Sequence, residues 1–258
     1  MPLRALIFDV DGTLADTERD AHRVAFNRAF AAAGLSFSWD VPTYGHYLKV
    51  TGGKERLRAY LNAHPHLPQL SDADIVAIHR QKTDHYVEMI NAGLLPLRPG
   101  VARLLDAAQA HGLLLAIATT TTPANVEALL RSTLGVEAAQ RFHTIGAGDI
   151  VPRKKPAPDI YAYVLREMGL PATECLAIED SANGLQSAQG AGLATIVTQT
   201  EYTAGQDFSA ALRVLDHLGE VAAPAHVLQG NGSGTEVVVD IPGLHRWWEE
   251  TQHARYPG

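Results

Sequence analysis

The sequence predicts an α/β fold in which a parallel sheet carries helices on both faces. Short apolar runs alternate with helical patterns between residues 100 and 197, which is typical of strands joined by crossover helices. Residues 35–92 are richer in His, Arg and Tyr and contain no convincing run of buried strands. We therefore expect an all-helical segment, inserted after the first strand near Asp16 and ending near Ala92.

The composition favours a globular chain with one main core. A length of 258 residues allows one sizeable core, or a core with a small insert. The net charge of −7 disfavours nucleic acid or an anionic membrane as the main partner. Cys175 is the only cysteine, which excludes an intrachain disulfide and fits a reducing compartment. We find no signal-like N-terminus and no run approaching a membrane span, so we expect a cytoplasmic protein.

The first apolar run, Ala5-Leu6-Ile7-Phe8, ends at two aspartates, Asp9 and Asp11. It predicts a buried strand, which is bounded by Gly12, where the chain can turn sharply. Ligands of open α/β sheets bind beyond the carboxyl ends of the strands, so we expect both carboxylates to project into a site. The alternative is an ordinary strand end that carries two solvated acids.

The remaining pattern predicts helices and strands in a regular order. In the inserted segment we expect helices over 17–33, with Gly34 as the stop, and over 54–63 and 72–91. The core pattern predicts, in order, helix 100–111, strand 113–118, helix 123–132, strand 142–146, helix 158–169, strand 175–178, helix 182–190 and strand 194–197.

The C-terminal part gives a weaker pattern. Residues 200–235 are rich in Gly and Ala, residues 235–241 predict an edge strand, and Trp247-Trp248 are expected to cover part of the core. The expected division is a first core strand in 1–16, a helical cap in 17–92, the rest of the core in 93–223 and an extension in 224–258.

Polar residues follow three further strands. Thr119-Thr120-Thr121-Thr122 precede a helix, where hydroxyls and free amides can bind an anion, although a ligand-free N-cap has the same sequence. Lys155, next to Pro156, can place its ammonium at a phosphate or a carboxylate, or it can be solvated. Glu179 and Asp180 follow strand 175–178.

Taken together, the acids at the strand ends predict a metal-assisted reaction. We expect four carboxylates, Asp9, Asp11, Glu179 and Asp180, to converge, and they would repel one another unless a cation lay among them. Oxygen ligands without neighbouring cysteine or histidine favour Mg²⁺ over zinc. A nucleophilic carboxylate, a second acid, a hydroxyl anion site, a lysine and a hard metal indicate phosphoryl transfer through an aspartyl-phosphate.

These four motifs resemble those of the haloacid dehalogenase-like phosphohydrolases. The matching residues are Asp9-Val10-Asp11-Gly12-Thr13, Thr119, Lys155-Pro156 and Glu179-Asp180. The resemblance covers about residues 3–200 and implies a Rossmann-like parallel sheet core with an inserted α-helical cap. The paired aspartates favour phosphatases and mutases over true dehalogenases, which need no paired proton donor.

The resemblance also implies roles for individual residues. Asp9 would be the nucleophile, and Asp11 the acid for the leaving alcohol and then the base for water. Mg²⁺ would bind Asp9, the Asp11 carbonyl and Asp180, with Glu179 as a direct or outer-shell partner. Thr119 and Lys155 would hold the transferring phosphoryl group, and the Lys155-Pro156 peptide would be cis.

The inserted segment contains candidate residues for substrate binding. Gly52, Gly53, Lys54 and Arg56 precede or begin a helical pattern and form a second candidate anion site. Taken without the core motifs, the same residues favour a flexible turn with solvated charges. Glu18 and His22 lie at i and i+4 and could contact sugar hydroxyls or form a surface pair. His79 and Lys82 are expected to extend a basic wall, Tyr44 is a further candidate, and Thr120, Thr121 and Asn125 are expected to contact substrate.

Within the family, the chain is similar to the CbbY-type phosphatases, which act on xylulose 1,5-bisphosphate. The similar segments are Asp16 to Glu18, Thr51 to Arg56, His79 to Thr83, Thr119 to Thr121 and Asn125 to Leu129. The alternatives are a broad sugar-phosphate phosphatase, a β-phosphoglucomutase-like mutase and, remotely, a non-catalytic phosphometabolite-binding protein. A mutase would be expected to carry Arg-x-x-Ser in the cap turn. We expect a monomer that acts on a phosphorylated small molecule.

Overall fold

The computed structural model describes residues 2–93 and 95–255, so the last three residues of the expected extension lie outside it. The strands are β1 Ala5–Phe8, β2 Leu114–Ala118, β3 Thr144–Gly146, β4 Cys175–Glu179, β5 Ala194–Thr198, β6 Arg213–Leu215, β7 Ala225–Gly230 and β8 Glu236–Val237. The α-helices are α1 Arg23–Ala32, α2 Val41–Tyr47, α3 Gly53–Ala63, α4 Asp72–Asn91, α5 Val101–Ala110, α6 Pro123–Leu134, α7 Asp159–Met168, α8 Ala182–Gly190 and α9 Ile241–Arg255. Short 3₁₀ turns span Ala138–Arg141 and Ala172–Glu174.

The strands form one sheet in the order β3-β2-β1-β4-β5-β6-β7-β8. The first six pair in parallel, and β7 and β8 are added antiparallel at one edge. The predicted α/β fold with its parallel sheet is therefore confirmed, and the antiparallel edge extends it. Strand order reverses around β1, so β1 lies between β2 and β4, where open α/β sheets bind their ligands.

Both faces of the sheet are buried, which explains why the central strands are almost wholly apolar. Leu6 and Phe8 of β1 belong to a core layer that includes residues of α5, α6 and α9. Ala5 and Ile7, on the other face, pack with residues of α7 and α8. The residues of β1 alternate between two buried layers and are all apolar. Asp9, which directly follows β1, is the first polar residue and lies at the carboxyl edge of the sheet.

From residue 18 to residue 91 the described elements are helices, as the pattern predicted. Their core is an aromatic cluster of Phe26, Phe30, Trp39, Tyr44 and neighbouring aliphatic side chains. Two details were not predicted: the short helix α2, and a π-helical turn over Glu18–His22 ahead of α1. Among the described residues, none of the helices combines the length and apolar character needed to cross a membrane.

The C-terminal segment is part of the main core. Residues 200–235, whose pattern was weak, contain β6 and β7, and the expected edge strand is reduced to the two residues of β8. Trp248 on α9 is 4% exposed and belongs to the larger core layer, as expected, while Trp247 packs against it. Arg213 of β6 is anchored to α9 through its Nη2, which donates to both carboxylate oxygens of Glu250, at 2.7 and 2.9 Å.

We expect Trp248→Ala to lower the free energy of unfolding by about 3–5 kcal/mol, because the substitution leaves a cavity in this layer. Denaturant titration of the purified variant would measure the change. Trp247→Ala is the matched control, since Trp247 is only partly buried, and it should cost less. Equal stability of Trp248→Ala and the unmodified protein would show that α9 is peripheral to the fold.

Candidate active site

Three carboxylates meet at the ends of β1 and β4. The register pairs Phe8 with Ile178, so Asp9 and Glu179 leave the sheet side by side. One carboxylate oxygen from each of Asp9, Glu179 and Asp180 lies within 4.8 Å of the others, and all three residues are buried. The adjacent strand ends therefore bring together three of the four acids that the sequence singled out.

Two glycines permit this close packing. Gly12 has φ +84°, and a Cβ there would come within 2.2 Å of Asp180 Oδ2. A Cβ on Gly184, in α8, would come within 1.9 Å of Glu179 Oε2. The carboxylates of Asp180 and Glu179 therefore lie directly against main chain, and a side chain at either glycine would displace them.

Lys155 is the cation that the structure places among these acids. Its Nζ donates to Asp9 Oδ1 at 2.7 Å and to Glu179 Oε1 at 2.6 Å, and the Lys155-Pro156 peptide is cis, as the resemblance implied. Burial nevertheless raises the pKa of Asp9 to about 7, against the opposing effect of Lys155. Burial and the charges of Asp9 and Glu179 also raise the pKa of Asp180 well above its usual range.

One ammonium is thus insufficient for three buried carboxylates, and this excess of negative charge is what a divalent cation would offset. The donors are oxygen atoms, which suit hard cations such as Mg²⁺. The residues of this cluster therefore fit a divalent metal site.

The carboxylate of Asp11 does not join this cluster, so the expected convergence of four acids is wrong. β1 ends at Phe8, and Asp11 lies in the following turn, where its Oδ1 accepts from Thr17 Oγ1 at 2.5 Å and pairs with His22 Nε2 at 2.8 Å. Burial alone would raise the pKa of Asp11, but His22, the Thr17 hydrogen bond and the Lys82 charge together lower it to about 2.

Lys82 determines how His22 contacts Asp11. Lys82 Nζ lies 2.7 Å from His22 Nδ1, and an ammonium can only donate, so Nδ1 must accept. Nε2 of His22 then carries the hydrogen that Asp11 Oδ1 accepts, at 2.8 Å. The ring also stacks on Tyr86 at a centroid distance of 4.3 Å. Burial lowers the pKa of Lys82 to about 8, which keeps it charged at neutral pH.

Glu18, Tyr44 and Arg56 form a second linked group beside Asp11. The Tyr44 hydroxyl donates to Glu18 and accepts from Arg56 Nη1 at 2.8 Å. Tyr44 is fully buried and Arg56 is 7% exposed. Arg56 Nε is buried with no hydrogen-bond partner among the described residues. Buried polar groups normally have hydrogen-bond partners, so this donor is left over by the contacts among the described residues.

The threonine segment lies across the site from this group. Thr119 and Thr121 are buried. The side chain of Thr122 caps α6 by accepting a hydrogen bond from the main-chain N–H of Asn125. Asn125 Nδ2 donates to Thr121 Oγ1 at 2.9 Å, while its Oδ1 is buried without a partner in the described part of the chain. The segment thus presents hydroxyls, an unpaired acceptor and the N-terminus of a helix to the same space.

The Gly52-Gly53 turn places Lys54 at the boundary with the core. Lys54 Nζ donates to Asp149 Oδ2 at 2.6 Å, and Asp149 also pairs with Lys154 at 2.9 Å. His79 packs against Gly53, but burial, followed by the charges of Lys82 and Lys54, lowers its pKa to about 3. His79 lines the second cavity, but a lowered pKa disfavours the positive charge that was expected of it there.

Two adjoining cavities connect these groups. The first, of about 520 Å³, lies over the carboxylate cluster, with Asp9, Lys155 and Asp180 in its lining. The second, of about 420 Å³, is lined by His22, Gly52, Gly53, His79, Thr121, Asn125 and three lysines, namely Lys54, Lys82 and Lys154. Asp11, Glu18, Arg56 and Thr120 line both cavities. Every predicted site residue except Glu179 and Tyr44 lines one of them, and those two hydrogen-bond to lining residues, Glu179 to Lys155 and Tyr44 to Arg56.

Sequence reasoning missed several residues of this site. Residues 200–206 follow β5 and form one wall of the first cavity. Arg98 is buried and donates to the carbonyl oxygens of Gly12, Thr198, Gln199 and Asp216, which ties the turn after β1 to the ends of β5 and β6. Arg98 stands between Leu97 and Pro99, and a charged residue in this otherwise apolar stretch was the available signal. Tyr161, which lies within the predicted helix 158–169, donates to Glu179 Oε1 at 2.6 Å.

Comparison with known proteins places this site in a family. The family model for haloacid dehalogenase-like hydrolases matches residues 3–192. Protein CbbY of Cupriavidus necator is 53% identical over 249 residues, which cover 95% of this chain and 93% of that protein. A crystal structure of an aspartate-to-asparagine mutant of CbbY from Rhodobacter sphaeroides in complex with xylulose-(1,5)bisphosphate is 45% identical, with a TM-score of 0.79 over 85% of this chain and 98% of that chain. The fold is also similar to that of β-phosphoglucomutase from Clostridium difficile, with a TM-score of 0.74 at 17% identity over 98% of this chain and 99% of that one.

Proposed function

The chain belongs to the haloacid dehalogenase-like hydrolases and is a phosphatase, and on that premise we propose that it hydrolyses a sugar bisphosphate, xylulose 1,5-bisphosphate in the first place. The observation that carries the proposal is Arg56, whose buried Nε lacks a partner among the described residues at the boundary of the two cavities. A substrate with two anionic groups would place one at Asp9 and the other among the basic side chains. The CbbY crystal structure with xylulose-(1,5)bisphosphate supports this choice of sugar.

Asp9 is the nucleophile in the proposed reaction. Its carboxylate oxygen attacks phosphorus, the bond from phosphorus to the sugar oxygen breaks, and Asp11 gives a proton to the leaving oxygen. In the second half, Asp11 removes a proton from water, the water oxygen attacks phosphorus, and the bond to Asp9 breaks to release inorganic phosphate. The contact of Lys155 with Asp9 at 2.7 Å and the position of Thr119 at the end of β2 support their role in holding the phosphoryl group.

The low pKa of Asp11 keeps its carboxyl ionised, which suits its role as a base. To act as an acid, Asp11 must first take up a proton. In the free chain the carboxyl is ionised, because its pKa is about 2. A phosphate dianion bound beside it raises that pKa by charge repulsion, which favours proton uptake before the first step. Bonds from His22 and Thr17 keep the group in one place for both steps.

Asp9, Asp180 and the Asp11 carbonyl, with Glu179 beside them, would hold Mg²⁺, which supplies positive charge to the carboxylates and the bound phosphate. Removal of the metal with a chelator should therefore abolish turnover. We further propose that residues 17–92 act as the cap, because Glu18, Tyr44 and Arg56 reach the site from this segment.

The linked group of Glu18, Tyr44 and Arg56 is suited to recognise the sugar hydroxyls, since Glu18 can accept and Arg56 can donate. Lys54, Lys82 and Thr121 line the second cavity, where the other phosphate would bind. The N-termini of α3 and α6 flank the same cavity and favour an anion there.

We expect Lys54→Ala to raise KM for xylulose 1,5-bisphosphate by about tenfold, because the variant loses one charge-assisted contact with the second phosphate. The KM for monophosphates should stay the same, because they do not fill the second cavity. Steady-state phosphate release would be measured on xylulose 1,5-bisphosphate, ribulose 1,5-bisphosphate and glucose phosphates. Arg80→Ala is the matched control, since it removes an exposed cap cation that does not line either cavity.

Equal kcat/KM on the monophosphates and bisphosphates would overturn the bisphosphate assignment in favour of a broad sugar-phosphate phosphatase. Isomerisation of a hexose monophosphate without release of phosphate would instead indicate a mutase. An unchanged KM in Lys54→Ala would remove Lys54 from the second phosphate site.

A further inference from the structure

Tyr161 contacts the catalytic cluster from within the apolar layer beneath the sheet. It lies on α7, packs with Ile160, Val164 and Leu165, and is fully buried. Its hydroxyl donates to Glu179 Oε1 at 2.6 Å, and burial, with the nearby Glu179 and Asp9 charges, raises its pKa well above the usual range. A hydroxyl in such a layer is costly unless it has a partner, so the contact with Glu179 accounts for tyrosine rather than phenylalanine.

The same tyrosine also contacts Lys155. Lys155 Nζ lies 5.2 Å from the centroid of the Tyr161 ring, within the range of a cation–π interaction. Lys155 Nζ and the Tyr161 hydroxyl share one acceptor, Glu179 Oε1, each at 2.6 Å. One side chain thus touches both the ammonium and the carboxylate that pairs with it.

Glu179 is held on its other side as well. Its carboxylate lies against Gly184, and the amide of Asp180 donates to Oε2 at 3.3 Å. Glu179 therefore has little freedom to follow Lys155 if the lysine moves. Since Asp9 and Glu179 use two of the three donors of the ammonium, the direction of the third is set by the position of Glu179.

We propose that Tyr161 is a positioning residue for phosphoryl transfer: its ring and hydroxyl fix Lys155 and Glu179 so that the Lys155 ammonium meets the phosphoryl group on Asp9. The inference rests on the proposed function, in which Lys155 holds that group. The ammonium is most needed when charge develops on the phosphoryl oxygens, so its misplacement affects the transition state more than substrate binding.

Tyr161→Phe keeps the ring and removes only the hydroxyl. We expect kcat on xylulose 1,5-bisphosphate to fall by about tenfold, within the effect of one hydrogen bond to a charged group, with KM changed less than twofold. Tyr163→Phe is the matched control, because it is the same change on the same helix at a partly buried position, where the ring contacts Arg166. It should leave both constants unchanged.

A double-mutant cycle separates positioning from support of the fold. In a Lys155→Met background, loss of the Tyr161 hydroxyl should lower single-turnover phosphate release by less than twofold, because its effect passes through Lys155. The same tenfold loss in both backgrounds, or a normal kcat in Tyr161→Phe alone, would overturn the inference. If Lys155→Met itself turned over normally, the proposed role of Lys155 would fail, which is a distinct outcome.

Discussion

Asp9→Asn is expected to lower kcat by at least about 10⁴-fold, because the amide cannot form the bond to phosphorus. Substrate should still bind, since asparagine has the same shape and Thr119 and Lys155 remain. Binding of xylulose 1,5-bisphosphate would be measured by calorimetry, and turnover by release of inorganic phosphate. Binding by the variant is consistent with the corresponding type of CbbY mutant, which was crystallised in complex with that sugar.

The matched control for Asp9→Asn is Asp106→Asn. Asp106 is a largely exposed aspartate that pairs with Arg141, outside the residues that line either cavity of the site. It should turn over at the normal rate. Activity of Asp9→Asn within a factor of about ten of the unmodified protein would rule out the aspartyl-phosphate mechanism.

Asp11→Asn should have the second largest effect, a fall of about 10²–10⁴-fold in kcat on sugar phosphates, as expected for loss of a general acid and base. Asparagine can still contact Thr17 and His22 but cannot transfer a proton. The two roles of Asp11 can be separated with p-nitrophenyl phosphate, whose leaving group needs no protonation.

With that substrate the first half-reaction of Asp11→Asn should proceed, and the second should be slow. Stopped-flow absorbance should then show a burst that approaches one mole of nitrophenol per mole of enzyme, followed by slow turnover. The unmodified protein should show a smaller burst. A loss of the burst in Asp11→Asn would mean that the residue acts before phosphorus is transferred, and the assignment of a base role would be withdrawn.

The catalytic cluster could be predicted from sequence because its residues follow apolar runs. Asp9 and Thr119 come directly after strands of a parallel sheet, Glu179 is the last residue of β4, and parallel strands end at one edge. The separation of Asp11 from the other acids could not be predicted, since it depends on contacts with Thr17 and His22, which the π-helical turn brings into place. The lowered pKa of His79 likewise follows from burial, which its sequence context does not indicate.

The sequence did not predict strands β6 and β7 or the role of Tyr161, because the hydrophobic pattern of these segments does not reflect their place in the fold. β6 has three residues and begins with Arg213, whose buried charge pairs with Glu250 on α9. β7 alternates between buried and exposed residues for its first four positions and ends in polar residues and glycine, so its apolar signal is short. Tyr161 was hidden for the opposite reason, because a helix face that packs in a core looks the same whether or not one hydroxyl reaches the site.

The antiparallel pair at the end of the sheet has a consequence for how the protein meets its own copies. Without β7, the parallel strand β6 would present an open row of amides and carbonyls, a template for pairing between chains. β7 covers that row, and β8, the outermost strand, has only two residues. At the opposite edge β3 has three. Because both margins of the sheet are this short, the described part of the chain offers little unpaired backbone for strand-to-strand aggregation, even though the sheet itself is eight strands wide.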